Sequence, residues 1–288
     1  MPAPPPHVPR ALRRLLALTW LLLACAPADA VGFESFDKLL TFENGSVNWT
    51  TGWITAGGTG LPGDPPTHDN LPAAVASGRN HARADLLAII RGLWVRSRQT
   101  AGELADLHPA LAEKLLGMTA AAAVTRQDHH SDGSVTVTVA MSLFGGLSQL
   151  LLPPEIVPLE TVKTVGSQTP ADTQPPIPQA YTGLVVDARG LKLQPALAPR
   201  IFSQNGNVVY DYAFVSREFA VQHGVCGYLL TPAAASRVGE HPMVVRALRT
   251  VGSGGCDLVV SNSDAARIRN APEHLAFMRH CRVLIVVD

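Results

Sequence analysis

His223 and Cys226 have the residue types and the spacing of a base beside a thiol nucleophile. Three residues apart on a helix they would approach each other, and a cysteine attacks as its thiolate once a base has taken the proton. Two features weigh against that chemistry. Gly224 lies between them and interrupts a helix, and no carboxylate is near in sequence to orient the imidazole. A cysteine in a Val-Gly setting reads more simply as a small packed hydrophobe. Gly-x-Ser-x-Gly and His-Glu-x-x-His do not occur. No catalytic residue is assigned.

Four residues could hold a small ligand. Asp187 and Arg189, followed by Gly190, leave the end of a strand-like run, where α/β proteins commonly place ligand groups. Arg189 could there grip a carboxylate or a glycan acid with two parallel hydrogen bonds. The simpler reading is a charged strand exit into a turn. Asn262 and Ser263, within Ser261-Asn262-Ser263-Asp264, follow a second apolar run and open a helix, so backbone amides would meet a strand end. The structural alternative is helix capping by Ser263.

Two further clusters read as structure. Gly252, Gly254 and Gly255 imitate a phosphate loop, but such loops follow a strand and open a helix, whereas these glycines precede a strand. No nucleotide or other cofactor is expected. His129 and His130 beside Asp128 and Asp132 have metal-ligating types, yet they fall at a hairpin tip, which predicts a solvated turn. No metal is expected.

The elements that must position these residues follow from periodicity. Val47–Gly58 alternates as a strand or hairpin anchored by Trp49 and Trp53, after a turn at Asn44-Gly45. Leu71–Arg91 is the strongest helix: Ala74, Ala82, Leu86, Ile89 and Leu93 recur mostly at three- and four-residue steps. Thr100–Met118 is a second helical segment. Ala121–Asp128 and Ser134–Leu143 predict strands joined as a hairpin at Asp132-Gly133. In the second half, Thr182–Ala188 predicts a strand, and Arg200–Tyr212 a hairpin turning at Asn205-Gly206. Short helices are predicted over Ser216–His223 and His241–Thr250. Cys256–Ser261, a helical stretch over Ser263–His280 and Cys281–Val287 predict a βαβ unit with parallel neighbouring strands.

These elements predict an α/β fold in two modules. Residues 31–150 form an α+β module with helices on a small mixed sheet, and residues 181–288 an α/β module ending in the βαβ unit. The seven prolines between Leu152 and Ala180 block regular helix and central strand, so residues 151–180 read as a linker.

Residues 1–30 read as an export signal. Arg10, Arg13 and Arg14 precede the apolar run Leu15–Ala24, and Ala28-Asp29-Ala30 forms an A-x-A cleavage site. The apolar run is too short to span a bilayer. Leu22-Leu23-Ala24-Cys25 also fits a lipobox, in which Cys25 is acylated and anchors the chain. Both readings stand: a lipid anchor at Cys25, or cleavage after Ala30 and a free exported protein. Either way the chain is expected to be exported. An exported compartment permits disulfides. Cys256 and Cys281 each begin an apolar run, so a pair between them is one reading and free thiols the other. No cysteine spacing fits zinc. The 23 Lys and Arg balance the 23 Asp and Glu, which argues against nucleic acid, and 47% apolar against 16% charged residues argues for a globular chain.

A set of short segments extends over residues 45 to 145. It comprises Gly45-Ser46-Val47-Asn48-Trp49, Gly52-x-Ile54-x-Ala56-x-Gly58, Ala82-Arg83-Ala84-Asp85-Leu86-Leu87, Ile90-x-Gly92 and Asp132-Gly133-Ser134-Val135-x-Val137. It resembles the N-terminal module of the flagellar assembly protein FlgT and the related LPP-twenty lipoprotein family. The second half, with Leu184–Gly190 and Leu197–Ile201, resembles the C-terminal region of exported bacterial proteins in the same grouping. The Pro-rich stretch and the βαβ end depart from the short lipoprotein pattern. The resemblance implies a non-enzymatic protein of the bacterial envelope. Some relatives are lipoproteins, and others build a periplasmic ring around the flagellar motor. Envelope or flagellar proteins are then the expected partners, with homo-oligomers also allowed. The competing expectation is a periplasmic small-ligand-binding module using Asp187, Arg189, Asn262 and Ser263.

Overall fold

A computed structural model describes residues 37–61, 70–153, 181–230 and 236–288. The export signal, Cys25 and nearly all of the Pro-rich segment therefore lie outside the described residues. The chain has an α/β fold built on two main sheets. No helix among the described residues is long and apolar enough to cross a membrane.

The first sheet is antiparallel and contains β1 (Leu39–Phe42), β2 (Gly45–Asn48), β3 (Trp53–Gly60), β6 (Ala123–His129) and β7 (Val135–Ser142). Its order is β1-β2-β3-β7-β6. One helix, α1 (Leu71–Gly92), packs across β3 and β7 with Ala74, Gly78, Ala82, Leu86, Ile89 and Ile90 buried. The Ala- and Gly-rich stripe lets backbone meet backbone. A side chain at Gly60 would begin 1.8 Å from the Ala74 carbonyl oxygen, and one at Gly58 2.1 Å from the Ala82 nitrogen.

A small hairpin of β4 (Trp94–Arg96) and β5 (Gln99–Thr100) follows, then α2 (Ala101–Leu107) and α3 (Pro109–Ala120). The single helical segment expected over 100–118 is thus two helices. Pro109 cannot donate to the preceding turn, but it fits the first turn of the next helix. A capping box starts α2: the Glu103 amide donates to the Thr100 hydroxyl at 3.2 Å, and the Thr100 amide donates to Glu103 Oε2 at 2.8 Å. A short α4 (Gly146–Leu151) ends this half.

The second sheet is mixed. In chain order it contains β8 (Gly183–Asp187), β9 (Ile201–Ser203), β10 (Val208–Tyr210), β11 (Gly227–Leu229), β12 (Pro242–Val251), β13 (Asp257–Val260) and β14 (Val283–Val286). Their spatial order is β10-β9-β13-β12-β8-β14-β11. The helices α5 (Arg217–His223), α6 (Asn262–Arg269) and α7 (Pro272–Arg279) belong to this half.

Two expectations fail here. The helix expected over 241–250 is a strand, Pro242–Val251. Met243, Val245 and Ala247 are buried while Val244, Arg246 and Leu248 are exposed, which is the period of a strand. The terminal βαβ unit is also absent. β12 and β8 lie between β13 and β14. β13 runs antiparallel to β12, which is parallel to β8 and, through it, to β14. The tight glycine turn after β12 claims β13 as a hairpin partner. β14, buried on both faces, then pairs with the equally apolar β8.

The described residues form one compact unit. The main apolar core runs through both sheets, from Val47, Ile54, Leu86 and Leu147 to Leu184, Val260 and Ile285.

Candidate functional site

Most residues flagged by sequence are engaged in holding the fold. Arg189 donates through Nε and Nη2 to the two oxygens of Asp187, at 2.9 and 2.7 Å. That bond from Arg189 holds the Asp187 carboxyl below the usual carboxylate range. The side chains of Asn262 and Asn205 tie helix α6 to the β9–β10 turn: Nδ2 of Asn262 donates to Asn205 Oδ1 at 3.2 Å. Ser261, rather than Ser263, caps α6 by accepting the Asp264 amide at 3.0 Å. Ser263 only shares a hydroxyl contact with Ser261, at 2.9 Å. The two pairs are not assembled into one site. Asp187 ends a strand on one side of β12, and Asn262 follows a strand on the other. None of the four lines the cleft described below.

The glycine-rich turn is a socket for the first half of the chain. Ser97, at the tip of the β4–β5 hairpin, is buried in it. Its hydroxyl donates to the Val251 carbonyl at 2.8 Å and accepts the Cys256 amide at 3.2 Å. The Gly254 amide and the Ser253 hydroxyl both donate to the Ser97 carbonyl, at 2.7 and 2.9 Å. A side chain at Gly252 would begin 2.0 Å from Ser97 Oγ, and one at Gly254 2.8 Å from the Trp94 ring. The glycines thus make room for a neighbour, not for a phosphate.

Cys226, Cys256 and Cys281 are all free and buried. The Cys256–Cys281 disulfide is ruled out in this fold, because two strands separate the ends that carry them and a disulfide spans only neighbouring positions. Burial pushes the Cys226 thiol up to about 11 and those of Cys256 and Cys281 to about 12. Cys226 is therefore a protonated thiol at neutral pH rather than a nucleophile. Among the described residues no group of three or more His, Cys, Asp or Glu is placed to hold a metal ion. His130 instead meets the Thr136 hydroxyl at 2.9 Å.

A concavity of about 570 Å³ opens where the two halves meet. Its aromatic wall is Trp49, Phe144, Phe219 and Tyr228. Each comes from a different element. Trp49 follows β2, Phe144 follows β7, Phe219 is on α5 and Tyr228 is on β11. Phe144 fits because Gly52 and Gly224, both at positive φ, leave room: a side chain there would begin 2.2 and 2.8 Å from its ring. Gly224 also turns the chain out of α5.

His223, Arg237, His280 and Arg282 supply the basic side chains, and among the described residues no Asp or Glu lines the cleft. Arg237 donates to the carbonyls of His223 and Gly224, at the C-terminal end of α5. Arg282 makes no ion pair among the described residues. Trp49 is 4% exposed, yet its indole Nε1–H has no hydrogen-bond partner. A buried donor without an acceptor costs about 1–3 kcal/mol. Sequence marked Trp49 only as an apolar anchor and His223 only as a partner for Cys226. Cys281 was marked only as half of a possible disulfide, and the other lining residues carried no local signal of a site.

Residues 183–288, the stretch holding all seven strands of the second sheet, match the family model described as the second domain of Treponema pallidum Tp0624. This likeness points to a bacterial protein. No curated protein matches the chain.

Proposed function

We propose that this chain is a non-enzymatic protein of the bacterial cell envelope, exported by its leader and working as a structural or interaction component. In this reading it is periplasmic or held at the outer membrane through Cys25, and the flagellar apparatus is one setting for it. The observation that carries the reading is the engagement of the chemistry-bearing side chains in the fold. Arg189 is spent on Asp187, Asn262 on Asn205, the glycine turn on Ser97, and Cys226 is a buried thiol. The likeness of residues 183–288 to a domain of a bacterial protein supports the source. The strand-helix-hairpin resemblance of residues 45 to 145 to the FlgT and LPP-twenty modules supports the envelope.

The outer face of the first sheet also suits an interaction role. Leu39, Asn48 and Trp53 lie in one cross-strand row, and Leu39 and Trp53 are each 51% exposed. A photo-crosslinking residue at position 53, in Gram-negative cells making the full precursor, tests the reading. A discrete adduct that disappears when residues 1–30 are deleted is expected. No adduct from positions 39 and 53 would count against it.

A second reading, a periplasmic module that binds a small ligand, is favoured by the cleft. Its specific support is an aromatic-walled lining that also carries Arg237 and Arg282.

A further inference from the structure

We propose that the cleft between the two halves binds a small organic anion, a carboxylate or sulfonate borne on an apolar, ring-sized body. The inference rests on the small-ligand reading and names the ligand class. Two features of the lining agree on that chemistry.

The first is charge. The whole chain carries equal numbers of acidic and basic residues, 23 of each, but among the described residues the lining includes basic side chains and no acidic one. Arg237 is already bound to two backbone carbonyls, so it contributes field more than free donors. Arg282 is exposed and without an ion pair among the described residues, so its planar fork is available to an oxyanion. The second is shape. A volume of about 570 Å³ falls within the roughly 300–1,000 Å³ of small-molecule sites. The walls are aromatic faces and edges, which favour a flat apolar body over a bare inorganic ion. A cation is disfavoured on the same grounds, since no carboxylate among the described residues lines the cleft to pair with it.

The test compares two fluorescent probes that share one ring system. 1-Anilinonaphthalene-8-sulfonate carries the anion, and N-phenyl-1-naphthylamine does not. Each is titrated into the full-length chain, with calorimetry to count sites. One saturable site is expected, with the sulfonate bound at least about tenfold tighter than the neutral probe, the scale of one charge-assisted contact. Arg282→Ala, on the surface, should lose about tenfold for the sulfonate and leave the neutral probe unchanged. Val244→Ser, on an exposed face remote in the sheet from β11, should change neither. Equal binding of the two probes, or binding indifferent to Arg282→Ala, overturns the anion assignment while leaving a small-ligand cleft. No binding of either probe overturns the small-ligand reading as well.

Discussion

Trp49 and Tyr228 meet edge to face across the seam between the two halves, with ring centroids 5.5 Å apart and planes at 74°. Tyr228 is also locked from behind. Its hydroxyl donates to the Ala196 carbonyl at 2.9 Å and accepts the Ala196 amide at 3.0 Å. The same residue therefore forms the cleft wall, the β11 ladder and a bond to the loop before β9.

Tyr228→Phe keeps the ring and deletes both hydrogen bonds, leaving the buried amide and carbonyl of Ala196 unpaired. The expected loss is about 1–3 kcal/mol, read as a lower urea midpoint with an unchanged slope. Tyr228→Leu should cost more, because the edge-to-face contact with Trp49 goes too.

The Ser97 socket predicts that the halves unfold together. Trp49, Trp53 and Trp94 report on the first half, and far-UV circular dichroism reports on both. The two signals should give one coincident transition. Gly252→Ala places a methyl 2.0 Å from Ser97 Oγ at a φ of +86°, and Ser97→Ala removes two buried hydrogen bonds. Each should cost about 1–3 kcal/mol, and their double-mutant cycle should be strongly non-additive. Two separate transitions would contradict the shared core.

The contact between α1 and β3 predicts opposite outcomes at two glycines. Gly60→Val drives a side chain into the helix backbone, at the upper end of about 1–3 kcal/mol. Gly92→Ala, with no atom within 4 Å of the new carbon, should be neutral or stabilising by up to about 1 kcal/mol. Thermal melts of the two variants check the pair.

The three buried thiols make stability fall at alkaline pH. Their folded values of about 11 to 12 lie above the ordinary 9.0. Above pH 9 the unfolded chain loses these protons first, so the folded state binds more protons and the slope of stability with pH is negative. Full stability is expected below pH 9, declining from there towards pH 11–12. Cys281→Ala should flatten part of that decline. In the Cys25→Ala chain, a thiol reagent at pH 8 should find Cys226, Cys256 and Cys281 only after urea is added.

Local periodicity made much of this fold legible. Ala74, Ala82, Leu86 and Ile89 announce α1, Val135, Val137 and Val139 announce β7, and Asn205-Gly206 announces the β9–β10 hairpin. Met243–Arg249 misled because Val-Val-Arg-Ala-Leu-Arg suits either period, and pairing with β8 and β13 decides for strand. Strand order was hidden for a related reason. Which strand β14 joins depends on which partner β12 has already taken, and no local pattern encodes that. The cleft was least legible. Trp49 and Arg282 lie at opposite ends of the described chain, and a missing acceptor becomes visible only when every neighbour is placed.

Export to the envelope is the central claim, and the mass of the mature N-terminus tests it most directly. The intact precursor is produced in a Gram-negative host beside a Cys25→Ala control. The account predicts either an acylated Cys25 at the N-terminus, lost in the control, or a chain beginning at Val31. An unprocessed chain that still begins at Met1 and stays in the cytoplasm would contradict it.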